Sequence, residues 1–177
     1  MNQNQPSQLA CRSAVSASVF LSRAFLAAFL LLVLSTSAWA SGGNGMTWSK
    51  WGHNSTDGTD GVGCTGCNPY VGDTACTASL PVLCFKADGS PAPADLTLDF
   101  YHGWKGGHLS TTPPIPGTML TSLAAANQIC VNYLGAGYGI AEFHHSLGAW
   151  NWSAYGNVRT DYRFWTYIND QPANCWN

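Results

Sequence analysis

The chain has 177 residues, of which 9% are charged, with 7 Lys+Arg set against 9 Asp+Glu. That length fits a single domain, and the acidic balance excludes the basic surface that a nucleic-acid partner requires. An aromatic content of 12% with 19 glycines and few charges also excludes a disordered polar chain.

Residues 1–40 read as an export signal. Arg12 and Arg23 give a positive start, Ala24 to Leu34 is an unbroken apolar run, and Ala38-Trp39-Ala40 has the small-x-small pattern of a cleavage site before Ser41. The apolar run falls short of the ~20 residues that span a bilayer, so no stable membrane span is expected after cleavage. An uncleaved anchor is the alternative. Losing Arg12 and Arg23 with this segment takes the net charge from −2 to −4. The expected location is secreted or periplasmic.

Six cysteines follow the signal: Cys64, Cys67, Cys76, Cys84, Cys130 and Cys175. An even number in an exported domain reads as three disulfides. Sequence alone allows many pairings. The preferred one is Cys130–Cys175, which closes a long loop and so removes much unfolded-state entropy. The other four would then pair within residues 64–84.

Residues 41–63 are rich in Gly, Asn, Ser and Thr and read as a flexible N-terminal segment, with Trp48 and Trp51 as anchors. The disulfide-stabilised domain is expected over residues 64–177. Within it Pro81 to Lys86 reads as a short strand, and Leu96 to Trp104 alternates as a second. Gly103 and Gly106-Gly107 allow a bend, after which His108 to Thr112 returns. Pro113 to Gly117 is a rigid connector into the one clear helix, Thr121 to Leu134. There Leu123, Ala126, Cys130 and Tyr133/Leu134 share an apolar face, Thr121 is a candidate N-cap and Gly135 the stop. Tyr138 to His144 is a strand candidate, Ser146 to Asn157 a loop, and Arg163 to Ile168 the strongest strand, rich in aromatic and β-branched residues. The fold class is therefore α+β: one main helix packed on a small antiparallel sheet, loop-rich and stapled by disulfides.

Several residue sets could carry function. Trp150, Trp152 and Tyr155 fall in the expected loop, where exposed rings can stack on the apolar faces of sugars. Burial in a small core is the competing reading. Glu142, His144 and His102 could form an acid–base or metal-binding group. Cys64-Thr-Gly-Cys67 has redox or zinc spacing, but Asn68-Pro69 after it marks a turn rather than a helix start. Asp57-Gly-Thr-Asp60-Gly61 has the oxygen ligands of a calcium loop without its closing Glu. No Gly-x-Ser-x-Gly, His-Glu-x-x-His or phosphate loop occurs. No cofactor is expected.

The run Ser122 to Cys130, followed by Gly135-Ala-Gly-Tyr-Gly-Ile-Ala-Glu-Phe143, resembles the helix-then-strand opening of C-type-lectin-like domains. Asn169-Asp170 ahead of Cys175 is similar to the late Asn-Asp and Cys of that family, and the likeness covers residues 121–177. It implies a sugar-binding fold with Asn169 and Asp170 near the ligand. Gln171-Pro172 follows the Asn-Asp pair instead of preceding it, which departs from the family's calcium-dependent sugar site. Cys67-Asn-Pro-Tyr-x-Gly-Asp-Thr-x-Cys76, Tyr101-His-Gly-Trp104 and Arg163 to Trp176 resemble small exported Cys-rich bacterial proteins of unassigned function, sometimes labelled flagellar hook-length control proteins. That likeness spans most of the mature chain and implies no activity. The leading expectation is an exported binding module for a carbohydrate or other cell-surface ligand, met by Trp150, Trp152, Tyr155, Asn169 and Asp170. A hydrolytic or metal-dependent enzyme and a structural envelope component are the alternatives.

Overall fold

A computed structural model describes residues 43–145 and 150–177. The export signal over residues 1–40 lies outside them, as do residues 146–149 of the expected aromatic loop. Among the described residues no helix is long and apolar enough to cross a membrane.

Residues 41–63 were expected to be loose, yet they supply two strands of the main sheet. β1 (Asn44–Gly45) precedes β2 (Thr47–Asn54), which turns through residues 55–58 into β3 (Thr59–Gly63). The composition misleads because these glycines serve close contacts. Gly61 lies under the Trp51 ring, Gly63 lies under the Asn151 side chain, and a Cβ at either would collide. Gly58 takes φ +71° at the hairpin turn.

The short strands β4 (Thr74–Ala75) and β5 (Ser79–Leu80) lead to β6 (Leu83–Ala87). β7 (His102–Thr111) is one long strand where two with a bend were expected. The glycines do supply a distortion, but it is a bulge. Ser153 pairs with Trp104 and Tyr155 with His108, so the register slips, and Gly106 takes φ +71°. Residues 96–98, expected to start a strand, have no regular structure, and 99–101 turn into β7 through an Asp99–His102 bridge.

β8 (Ile115–Pro116) leads into the helix α1 (Leu123–Leu134). Ser122, not Thr121, is its N-cap: the side chain accepts from Ala125 N at 3.0 Å. Gly135 ends it at φ +97°. Ala126 and Cys130 face the core, whereas Leu123 and Tyr133 are exposed. Beyond α1, β9 (Gly139–Ile140) is shorter than the strand expected over 138–144, and Asn127 Oδ1 on the helix accepts its Ile140 N–H at 3.0 Å. β10 (Asn151–Tyr155) and β11 (Arg163–Trp165) complete the set.

The main sheet runs β11-β2-β3-β10-β7-β6-β9. All neighbours are antiparallel except β10 and β7, so the sheet is mixed and not purely antiparallel as expected. A parallel pair needs a crossover, and α1 lies on that connection. The sheet curls until its ends meet, joined by bridges between Val82 and Trp165 and between Glu142 and Tyr167.

Alternation along the strands separates two cores. Leu83 and Phe85 point inward with Trp48, Val62, Trp152 and Phe164. Cys84 points to the other side, into the cluster of Val82, Ile140, Trp165, Ala126 and Cys130 beneath the helix. The disulfides follow this geometry: Cys84–Cys130, Cys76–Cys175 and Cys64–Cys67. The expected Cys130–Cys175 bridge is therefore corrected. Cys130 does tie the helix inward, but to the outer face of β6, and the C-terminal tail is tied to residue 76.

Candidate functional site

The cleft that brings Trp150, Asp170 and His144 together lies where two turns meet the start of β10. The first follows the Cys64–Cys67 bridge. Asn68 Oδ1 accepts from Tyr70 N at 3.0 Å and from Val71 N at 3.2 Å, a side-chain turn that needs no strand. Asp73 Oδ2 anchors its base by accepting from Asn68 N at 3.0 Å. Gly72, at φ +77°, lets the chain pass against Asn44, where a side chain would not fit. Tyr70 is left 59% exposed.

The second element is the start of β10. The Trp150 carbonyl accepts from Cys64 N at 2.9 Å, which locks it to the same bridge. Its ring stands edge-on to Phe143 at 5.3 Å and remains 38% exposed. The third is the turn after Ile168. Buried Asn174 builds it, accepting from Ile168 N through Oδ1 and donating through Nδ2 to the Ile168 and Gln171 carbonyls. That turn presents Asp170 and Gln171.

Together Pro69, Tyr70, Phe143, His144, Trp150, Ile168, Asp170 and Gln171 enclose about 230 Å³. Buried Glu142 lies within 3.0 Å of His144 Nδ1. An ionised carboxylate only accepts, so Nδ1 carries the proton and Nε2 faces the cleft. Asp170 Oδ2 stands 3.9 Å from that Nε2, so two acceptors lie side by side where neighbouring ligand hydroxyls can each donate. The phenol of Tyr167, paired with Glu142 across the backbone, is raised in pKa by burial and then by the Glu142 charge. Two rings, a carboxylate, an amide and an imidazole lining one cleft suit a ligand with an apolar face and several hydroxyls.

His145 turns the other way. It packs against Phe85 at 5.1 Å and Trp152 at 5.6 Å. Burial, helped by the Lys105 charge, lowers its pKa from 6.5 to about 4. It is neutral at pH 7 and packs, half-buried, against the core rings.

Other expected site residues fall elsewhere. Trp152 is fully buried on β10, because Trp152 and Ala154 alternate inward from a strand where a loop was expected. It cannot touch a ligand. Tyr155, on the same strand, stands edge-on to Trp104 at 5.0 Å and donates to the Pro91 carbonyl at 3.1 Å. Asn169 is exposed but does not line the cleft; Asp170 does. His102 is separated from Glu142 and His144: its Nε2 pairs with Ser153 Oγ at 2.9 Å and its ring packs on Trp51. The calcium-loop pattern also dissolves. Asp57 accepts from Thr59 at the turn, while fully buried Asp60 pairs with Lys50 Nζ and His53 Nδ1, each at 2.7 Å. Among the described residues no group of three or more His, Cys, Asp or Glu is placed to hold a metal.

Sequence reasoning missed Tyr70, Gln171 and the turn-building Asn174 as parts of one site. Asn68-Pro69 and Asn169-Asp170-Gln171-Pro172 were legible as turns, but nothing in the chain says that the two turns meet. A scan against protein-family models, a search of curated proteins and a search of solved structures each return no match.

Proposed function

We propose that this protein is an exported binding module for a carbohydrate or other cell-surface ligand, held between Tyr70 and Trp150. The observation that carries the reading is that two exposed rings, Tyr70 and Trp150, line one cleft together with Asp170, Gln171 and His144. The backbone behind each ring is held by a hydrogen bond, Tyr70 N to Asn68 Oδ1 and Cys64 N to the Trp150 carbonyl, and the Trp150 ring packs on Phe143. The three disulfides support a secreted or periplasmic location. The likeness of residues 121–177 to C-type-lectin-like domains supports the sugar class.

The test is binding to an array of neutral and acidic glycans by wild type, Tyr70→Ala and Trp150→Ala. Each variant should lose about tenfold in affinity, ~1.4 kcal/mol. A folded wild type that binds no glycan overturns the proposal.

The Glu142–His144 pair favours a second reading, a hydrolytic enzyme in which His144 Nε2 moves a proton at the cleft. A turnover of cleft-bound glycan that disappears in His144→Gln, with binding retained, would select it.

A further inference from the structure

We infer a second ligand site, a pocket for a single neutral pyranose ring, on the outer face of the sheet at Trp51. The argument begins with the glycine beneath that ring. The six-membered ring of Trp51 lies across Gly61 on the neighbouring strand, and a side chain on Gly61 would displace it. His102 supports its edge at 4.8 Å and 81°, and His102 is itself tied to buried Ser153. The indole is therefore fixed against the sheet, with 49% of its surface in water. An immobile, half-wet ring loses little entropy when a ligand stacks on it.

The second wall is a strap. Residues 88–101 cross the sheet face and are pinned where Trp104 Nε1 donates to the Ser90 carbonyl at 2.9 Å and Tyr155 Oη to the Pro91 carbonyl at 3.1 Å. The Asp99–His102 bridge pins the other end. Between strap and sheet, Trp51, Asn54, Asp57, Asp95, Leu96 and Ser153 border about 260 Å³. That is just under the roughly 300–1,000 Å³ of drug-sized sites and matches the size of one sugar ring.

The lining sets the class of ligand. Trp51 and Leu96 offer the apolar contact that the C–H face of a pyranose needs. Asp95, exposed on the strap, is the carboxylate that accepts from hydroxyls. Asn54 Nδ2 donates to Asp57 Oδ2 and both side chains are held by Thr56 and Thr59, so they form a fixed polar wall with only their remaining lone pairs toward a ligand. The imidazole of His53 is engaged with Asp60. Two carboxylates with no lysine or arginine in the lining disfavour uronic acids and other anionic sugars. This site uses none of the residues of the Tyr70–Trp150 cleft, and stands or falls apart from it.

The experiment follows the indole N–H resonances of the ¹⁵N-labelled protein during titration with methyl hexopyranosides, and separately with glucuronic acid. The Trp51 signal should move with the neutral sugars and not with the acid. Trp51→Ala should abolish that binding while leaving any glycan binding at Trp150 intact. Gly61→Ala keeps the indole but lifts it, and should weaken binding about fivefold or more. Should Gly61→Ala unfold, Asp95→Ala on the exposed strap provides the same test by removing one hydroxyl acceptor. A Trp51 resonance that stays still with every neutral sugar, or binding unchanged in Trp51→Ala, overturns the inference. Loss of binding in Trp150→Ala alone would overturn it while sparing the first cleft.

Discussion

Acidification should destabilise this fold through one imidazole. His145 is held against Phe85 and Trp152, and burial together with Lys105 lowers its pKa from 6.5 to about 4. In the unfolded chain the ring protonates as pH falls through 6.5; in the folded chain it resists until about 4. The unfolded state therefore binds the extra proton first, and stability drops across that window. The limit is ~1.4 kcal/mol per pH unit for one proton, which over the gap between the two pKa values gives about 3 kcal/mol. Stability is fully present above the unfolded value and is not lost further by this group below the folded one. The assay is urea unfolding at pH 7, 5.5 and 4 for wild type and His145→Phe, which keeps a ring in the site. Subtracting the two curves cancels carboxylates common to both. The variant should lose about 3 kcal/mol less than wild type between pH 7 and 4. Equal losses would refute the argument that His145 is buried neutral.

The disulfides should rank by the loops they close. Cys76–Cys175 and Cys84–Cys130, 99 and 46 residues apart, should each stabilise by about 4–5 kcal/mol, whereas the three-residue separation of Cys64–Cys67 gives under ~2 kcal/mol; paired Cys→Ala variants compared by chemical denaturation check the order. The Cys64→Ala/Cys67→Ala variant should stay folded yet bind glycan more weakly, because that bridge fixes both Trp150 and the Asn68–Tyr70 turn; unchanged affinity would argue against it. Lys50→Met should cost about 3 kcal/mol by removing the cation from the buried Asp60 carboxylate, which then keeps only His53 and the Val158 N–H, and adding Asp60→Leu should recover part of that, as thermal unfolding would report. Trp152→Ala should cost about 3–5 kcal/mol in stability, and a folded Trp152→Ala at low temperature should retain ligand affinity.

The helix and its stop were legible because apolar spacing and a glycine are local signals: Ala126 and Cys130 face inward and Gly135 ends the turn. That Cys130 is tied to another element was also legible. Its partner was not, since pairing depends on which face of β6 presents Cys84, and that face is set by how the sheet meets the helix. The β2–β3 hairpin escaped notice because Gly61 and Gly63 read as looseness, when each is small to admit a neighbouring side chain. The polar and glycine residues around Trp150–Tyr155 suggest a loop, although Trp152 and Ala154 alternate against Asn151, Ser153 and Tyr155 as a strand does. Of the expected ligand residues, Trp150 and Asp170 do meet in one cleft. Tyr70 joins them only through tertiary folding, some 80 residues away in the chain from Trp150, which no local pattern encodes.

The most direct measurement of the central claim is the set of tryptophan indole N–H shifts as mannan-, glucan- and chitin-derived oligosaccharides are added in turn. The account predicts that at least one of them moves the Trp150 signal saturably while those of buried Trp48, Trp152 and Trp165 hold still. A Trp150 resonance unmoved by the whole panel, or one that shifts only together with the buried indoles, contradicts it.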